Sequence, residues 1–232
     1  MRAENVDILI FAVYCLCVAY TFYKMRHDVS HYFSIYFQEQ ALIAQLEDQN
    51  IQEIVAVQFR FSDRYKPEQL KDFILVIQNQ SKTYSILLNW EQFVLVDMNG
   101  KTHRVIRLIP AMNLNLSQRQ VQTIVVPQQR IEEKLTIEGT LDTKENSVLS
   151  VAKPLFDKKT VKIAAKEEKP FYLRLIVEIT EPKVGGSPTT LHPINCEFVV
   201  KQTPWGRALR WERTKRKQAA KKRRAKAGNL IE

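Results

Sequence analysis

The sequence predicts a mainly β protein: an antiparallel β-sandwich, preceded by an N-terminal transmembrane helix and an amphipathic helix and followed by a basic helical or disordered tail. Three observations predict it. From position 54 onward, apolar and polar residues alternate in seven to nine short runs separated by polar turns. Residues 6–23 form an eighteen-residue apolar run with Asp7 as its only charge. The excess of positive charge is confined to residues 201–232. These divide the chain into an anchor (1–29), a stalk helix (30–52), a β-sandwich domain (53–202) and a tail (203–232).

At 232 residues there is room for one anchor and one domain that buries a substantial core. Of 35 Lys/Arg and 25 Asp/Glu, twelve and two lie in 201–232, a net of +10 there. Residues 1–200 therefore hold 23 of each sign and are neutral. The basic character belongs to the tail. Cys15, Cys17 and Cys196 supply no disulfide framework, which is compatible with a reducing compartment.

As a helix, residues 6–23 rise roughly 27 Å, close to the hydrocarbon thickness of a bilayer. The preceding MRAEN lacks a positive n-region and no small-x-small site follows, which argues against a cleaved signal peptide. Tyr14 and Leu16 precede the two cysteines where a lipoprotein acceptor would need small residues. The run reads as a retained single span; a buried core helix is the alternative, since the length is near the spanning minimum. Tyr20, Phe22 and Tyr23 gather where an interfacial belt would sit. Lys24 and Arg26 against Arg2 place the large domain on the cytoplasmic (or stroma-like) side.

Residues 30–50 read as one helix. Ser30 caps it, and Tyr32, Ile35, Tyr36, Leu42, Ile43 and Leu46 share a stripe that Glu39 interrupts. Such a helix lies in the interface, pairs with another helix, or packs on the domain that follows. Strands are then expected at 54–61, 73–79, 84–90, 93–97, 102–108, 121–126 and 130–137. Met98-Asn99-Gly100 marks a hairpin, because Asn-Gly supplies positive φ angles. After a loop at 110–120 and a Lys-rich stretch at 142–169, FYLRLIVEI (171–179) is the most regular alternation, and INCEFVV (194–200) closes the set. With no crossover helices between them, these strands make an antiparallel sandwich.

The order of an apolar strand, NQSK, a short strand ending in Trp90 and then VDMNGKTHRVI resembles the immunoglobulin-like β-sandwiches of bacterial membrane-anchored proteins. The resemblance covers about residues 73–127. It implies a fold and a mode of attachment, with no catalytic residue among the matched positions. The cysteine pair that pins antibody-type domains is lacking, so packing alone must hold the fold.

No catalytic, cofactor-binding or metal-ligating set emerges. His27, His31, His103 and His192 are scattered; His27 and His31 are i, i+4, but no Glu or Cys completes a site. Asp97 begins like a calcium loop, yet Leu108 stands where the bidentate Glu is required. Cys196 falls at an inward strand position and reads as a buried apolar residue. Sequons at Asn79 and Asn115 matter only if the domain is extracellular.

The tail carries the candidate binding residues. Thr203-Pro204 starts a helix, and Trp205 and Trp211 are possible anchors. Arg213, Lys215, Arg216, Lys217, Lys221, Lys222, Arg223 and Arg224 supply electrostatic contact. Beyond Arg213 charge runs all round, so that part is disordered or becomes helical on an anionic partner. The partners this allows are anionic lipid headgroups, an acidic face of a membrane complex, or nucleic-acid phosphates with the tryptophans stacking on bases. A non-enzymatic, single-span accessory or assembly subunit is the expectation; a membrane tether for nucleic acid or ribosomes is the alternative.

Overall fold

The computed structural model describes residues 2–29, 32–109, 119–143, 149–181 and 188–203, with backbone alone at 2–9, 25–29, 143 and 149. They fall into two units: Phe33–Lys201, and the flanking residues up to Tyr32 and from Gln202. In the flanking unit, α1 (Arg2–Val29) is a helix of 28 residues. Its described apolar side chains, including Phe11, Tyr14, Leu16 and Tyr23, are exposed on all sides of the helix. Among the described residues no helix is long and apolar enough to cross a membrane. The Thr203 N–H donates to the Tyr32 carbonyl at 3.1 Å.

The larger unit is mainly β. Its elements are β1 (Phe33–Phe37), α2 (Glu39–Asp48), β2 (Val55–Arg60), β3 (Phe73–Asn79), β4 (Ser85–Leu88), β5 (Val94–Val96), β6 (Thr102–Arg107) and β7 (Thr123–Val125). There follow β8 (Arg130–Ile137), β9 (Leu141–Thr143), β10 (Leu149–Val151), α3 (Lys158–Glu167), β11 (Pro170–Thr180) and β12 (Thr189–Gln202). β9 and β10 pair with each other. The other ten strands form one sheet in the order β1-β12-β11-β5-β6-β8-β3-β2, with β4 on β11 and β7 on β4.

β11 is the strand on which the sheet is built. Its alternation buries Phe171, Leu173, Leu175, Val177 and Ile179. One edge pairs with β12 from Pro170↔Val199 to Thr180↔Thr189. The other edge pairs with β5 over its first half and with β4 over its second. The change of partner is filled by Trp90, in a short 3-10 turn (Trp90–Gln92). Trp90 is buried, its Nε1–H donates to Thr123 Oγ1 at 2.9 Å, and the Arg107 guanidinium lies 5.2 Å above its ring.

β6 turns the corner of the sheet: its first residues face β5, and from Val105 it faces β8. At the far end Phe33 and Tyr65 exchange backbone hydrogen bonds of 3.0 and 2.8 Å. The ends of the strand order thereby meet, and the antiparallel sheet is nearly closed. Inside it Phe198 is the hub of the aromatic core. Its ring is stacked on Phe171 at 4.9 Å, meets Phe59 edge-on at 4.8 Å, and lies 5.2 and 5.5 Å from Phe37 and Phe61.

The expected hairpin is present between β5 and β6. Gly100 takes φ +81, and Asp97 Oδ1 accepts the Asn99 and Lys101 N–H groups at 2.8 and 2.9 Å. Burial raises the Asp97 carboxyl; hydrogen bonds from His103 and these two N–H groups outweigh it and hold the pKa below the usual value. Cys196 is fully buried as expected, and burial pushes its thiol pKa up.

Two expectations need correction. Residues 30–50 are not one helix: β1 occupies 33–37 and α2 starts only at Glu39. Tyr32, Phe33, Ser34 and Ile35 are buried in succession, which a pleated strand covered on both faces allows and a one-striped helix does not. Glu39, read as a charged interruption of a stripe, is instead the acidic residue in the first turn of α2, where the helix dipole favours it. Leu42 and Leu46 of α2 belong to the main core, so this helix packs on the β domain and is no separate stalk. The Lys-rich stretch 142–169 also carries more structure than expected: β9, β10 and α3. Asp157 caps α3 by accepting the Lys159 N–H, and Val161, Ala164 and Ala165 face the core.

A candidate binding face on the outer sheet

Side chains that alternate away from the core line up across strands on the outer face. Cross-strand register makes one row of Arg104, Val94, Arg174 and Asn195, from β6 to β12. A second row runs Ile124, Leu87, Glu178 and Leu191, from β7 to β12. In it Ile124 and Leu191 are each 62% exposed, and Val121 just before β7 is 69% exposed. These three side chains leave apolar surface exposed on this face, with Glu178 between Leu87 and Leu191 in the row.

Around the first row lies a groove of about 600 Å³. Its polar lining is Gln45, Gln92, Thr102, Arg174 and Asn195; its apolar lining includes Val94, Ile176 and Pro193. It is an open groove on the sheet surface, with its polar groups at one end of β11 and Ile176 and Pro193 further along. Arg104 is committed elsewhere: its Nη2 donates to both Glu91 carboxylate oxygens at 2.8 Å. The Gln120 N–H, ahead of Arg104, holds the Glu91 carboxyl below its usual pKa against partial burial. Arg174 is exposed, and no ion pair to it forms among the described residues. Directly opposite, Asn195 Oδ1 is buried without a donor.

The groove wall is held by a glutamine clamp. Gln45 Nε2 donates to the Asn195 carbonyl and Gln45 Oε1 accepts the Asn195 N–H, both at 2.9 Å. One turn on, Gln49 Nε2 donates to the Pro193 carbonyl at 2.8 Å. Before α2, the Gln38 N–H donates to the Glu197 carbonyl at 2.9 Å. Together with β1, which takes the same side, these occupy the edge of β12 opposite β11 and block strand addition there. His192 meets Gln49 Oε1 and Thr190 Oγ1 at 3.0 and 2.8 Å, and burial lowers its pKa, favouring the neutral ring.

The binding residues expected from the sequence, Trp205, Trp211, Arg213, Lys215, Arg216, Lys217, Lys221, Lys222, Arg223 and Arg224, lie outside the described residues, as do His31 and Asn115. Asn79 is described, and its sequon is not available for modification in the folded domain. The residue is fully buried, its Nδ2 donating to the Tyr84 and Val125 carbonyls and its Oδ1 accepting from the Ser81 N–H. Among the described residues no three His, Cys, Asp or Glu side chains converge to hold a metal ion. Comparison with protein-family models, with curated proteins and with solved structures finds no match. The outer face therefore has to be read from its own chemistry. Sequence reasoning missed it because Gln45, Thr102, Arg174 and Asn195 meet only once four strands and α2 are assembled.

Proposed function

We propose that the chain is a non-enzymatic, single-span membrane protein, an accessory or assembly subunit of a membrane complex that docks its partner through the β domain and the basic tail. The observation that carries the docking role is the exposed aliphatic surface of Val121, Ile124 and Leu191 on the outer face, with half-buried Leu87 beside Ile124 and Glu178 between Leu87 and Leu191. The anchor reading rests on the apolar run 6–23 of the sequence; side chains of α1 are described only over 10–24, a stretch shorter than a span, and there the large apolar ones are exposed and call for an apolar surround. With α1 as the span, the Lys24 and Arg26 bias directs domain and tail to the cytoplasmic (or stroma-like) side. An immunoglobulin-like sandwich belongs to the same reading, supported by buried Trp90 between sheet halves that β6 joins.

The test is native-gel migration of the tagged protein after mild solubilisation of membranes. The wild type should migrate in an assembly well above its own 27.1 kDa. Replacing Arg213, Lys215, Arg216, Lys217, Lys221, Lys222, Arg223 and Arg224 by Gln should collapse that band to the free protein while the β-sheet circular-dichroism signal is retained. An unchanged assembly contradicts the role of the tail. Collapse of the wild-type band by ribonuclease would favour the alternative, a tether for RNA or ribosomes.

A further inference from the structure

We infer that the groove around Arg174 takes an extended segment of the partner protein in which a carboxylate and an aliphatic side chain stand two residues apart. The inference rests on the docking role proposed above and names the chemistry that the docked segment carries.

Arg174 is available to an anion, because its guanidinium is always charged, exposed and without an ion-pair partner among the described residues, while Arg104 in the same row is already matched by Glu91. A carboxylate suits the planar fork, which can donate two parallel hydrogen bonds to it. The next outward residue along β11 is Ile176, half-buried, with Pro193 across from it. Two residues of strand span about 6.6 Å, so a segment lying along β11 with a carboxylate over Arg174 sets its second-next side chain over Ile176 and Pro193. Two residues further the face offers Leu191 and Leu87 beside Glu178, so a second aliphatic side chain fits there and an acidic one does not. An occupant that reaches from Arg174 to Leu87 and Leu191 crosses four residues of β11 and is longer than a small organic acid. Asn195 Oδ1, on the residue paired with Arg174, is a buried acceptor without a donor at the groove wall.

The experiment is methyl NMR of the full chain in detergent micelles, following the methyl groups of Val94 and Ile176. Its background is the variant with the eight tail residues changed to Gln, so that acidic peptide cannot gather on the tail. The probes are capped hexapeptides with Asp, Leu and Leu at alternate positions, and the same peptide with Asn or Lys in place of Asp. Saturable shifts with the Asp peptide, at least tenfold weaker binding of the Asn peptide, and loss of Asp-peptide binding in Arg174→Glu are expected. Because Arg174 is an exposed outer-face residue, Arg174→Glu should fold, and its preference should reverse to the Lys peptide; that reversal is a gain no misfolded variant can show. Equal binding of Asp and Asn peptides, or indifference to Arg174→Glu, overturns the inference. So do shifts that appear on raising protein concentration without peptide, or with anionic bicelles alone, which assign the face to a second copy or to lipid. Binding of the Asp peptide only when the native tail is present would also overturn it, while leaving the tail's docking role intact.

Discussion

Asn79→Ala should lower the unfolding free energy by about 4 kcal/mol, measured by urea denaturation of the full chain in micelles with circular dichroism as the readout. The amide is fully buried at the end of β3. It joins the Tyr84 carbonyl before β4 at 2.7 Å, the Val125 carbonyl in β7 at 2.9 Å, and the Ser81 N–H at 3.1 Å. Truncation leaves the Val125 carbonyl and the Ser81 N–H without this partner in the interior, each costing about 1 to 3 kcal/mol when unmet, while the Ser81 hydroxyl still donates to the Tyr84 carbonyl. Asn79→Asp tests the cause separately. It keeps the shape but loses both donors and adds charge, so it should be at least as damaging as Ala. A loss below about 1 kcal/mol for either variant would mean that the β3, β4 and β7 junction is not held by this amide.

Phe198→Ala should cost a similar amount, about 4 kcal/mol by the same measurement. The ring is 1% exposed and is contacted by Phe37, Phe59, Phe61 and Phe171, which come from β1, β2, the residue just after β2, and β11. Rigid rings on all sides cannot collapse into the vacated volume, so both the transfer loss and the cavity loss are paid in full. Phe198→Leu keeps most of that volume and should cost no more than about 1.5 kcal/mol. With Cys196 unpaired, no disulfide is on hand to restrain the unfolded chain, and either loss is a large share of a domain's usual 5 to 15 kcal/mol. Equal costs for the Ala and Leu variants would contradict the cavity account.

What the sequence made legible follows the size of the local signal. β11 was plain because five buried residues alternate without a break over 171–179. The β5–β6 hairpin was plain because Gly100 and Asp97 specify its geometry by themselves. β12 begins at Thr189, ahead of the expected 194, because Pro193 is tolerated on the edge away from β11, where no ladder bond is asked of its nitrogen and its carbonyl is met by Gln49. β1 was misread since a six-residue aromatic run fits a helical stripe as well as a strand, and only the pairing with β12 and the Tyr65 bridge decides between them. The groove was not legible at all. Gln45 and Asn195 are 150 residues apart, and an isolated glutamine carries no periodic signal of the edge it will clamp. The tail is the reverse case, since its charge stands in the composition alone.

On the proposed reading, α1 anchors the chain with the β domain and tail on the cytoplasmic (or stroma-like) side. Protease protection on sealed vesicles with that side inward tests it most directly, using an antibody to an epitope placed after Glu232. The account predicts vesicle-bound protein whose tail epitope survives protease and is cleaved only after detergent opens the membrane. Cleavage of the epitope on intact vesicles, or recovery of the protein free of them, would contradict it.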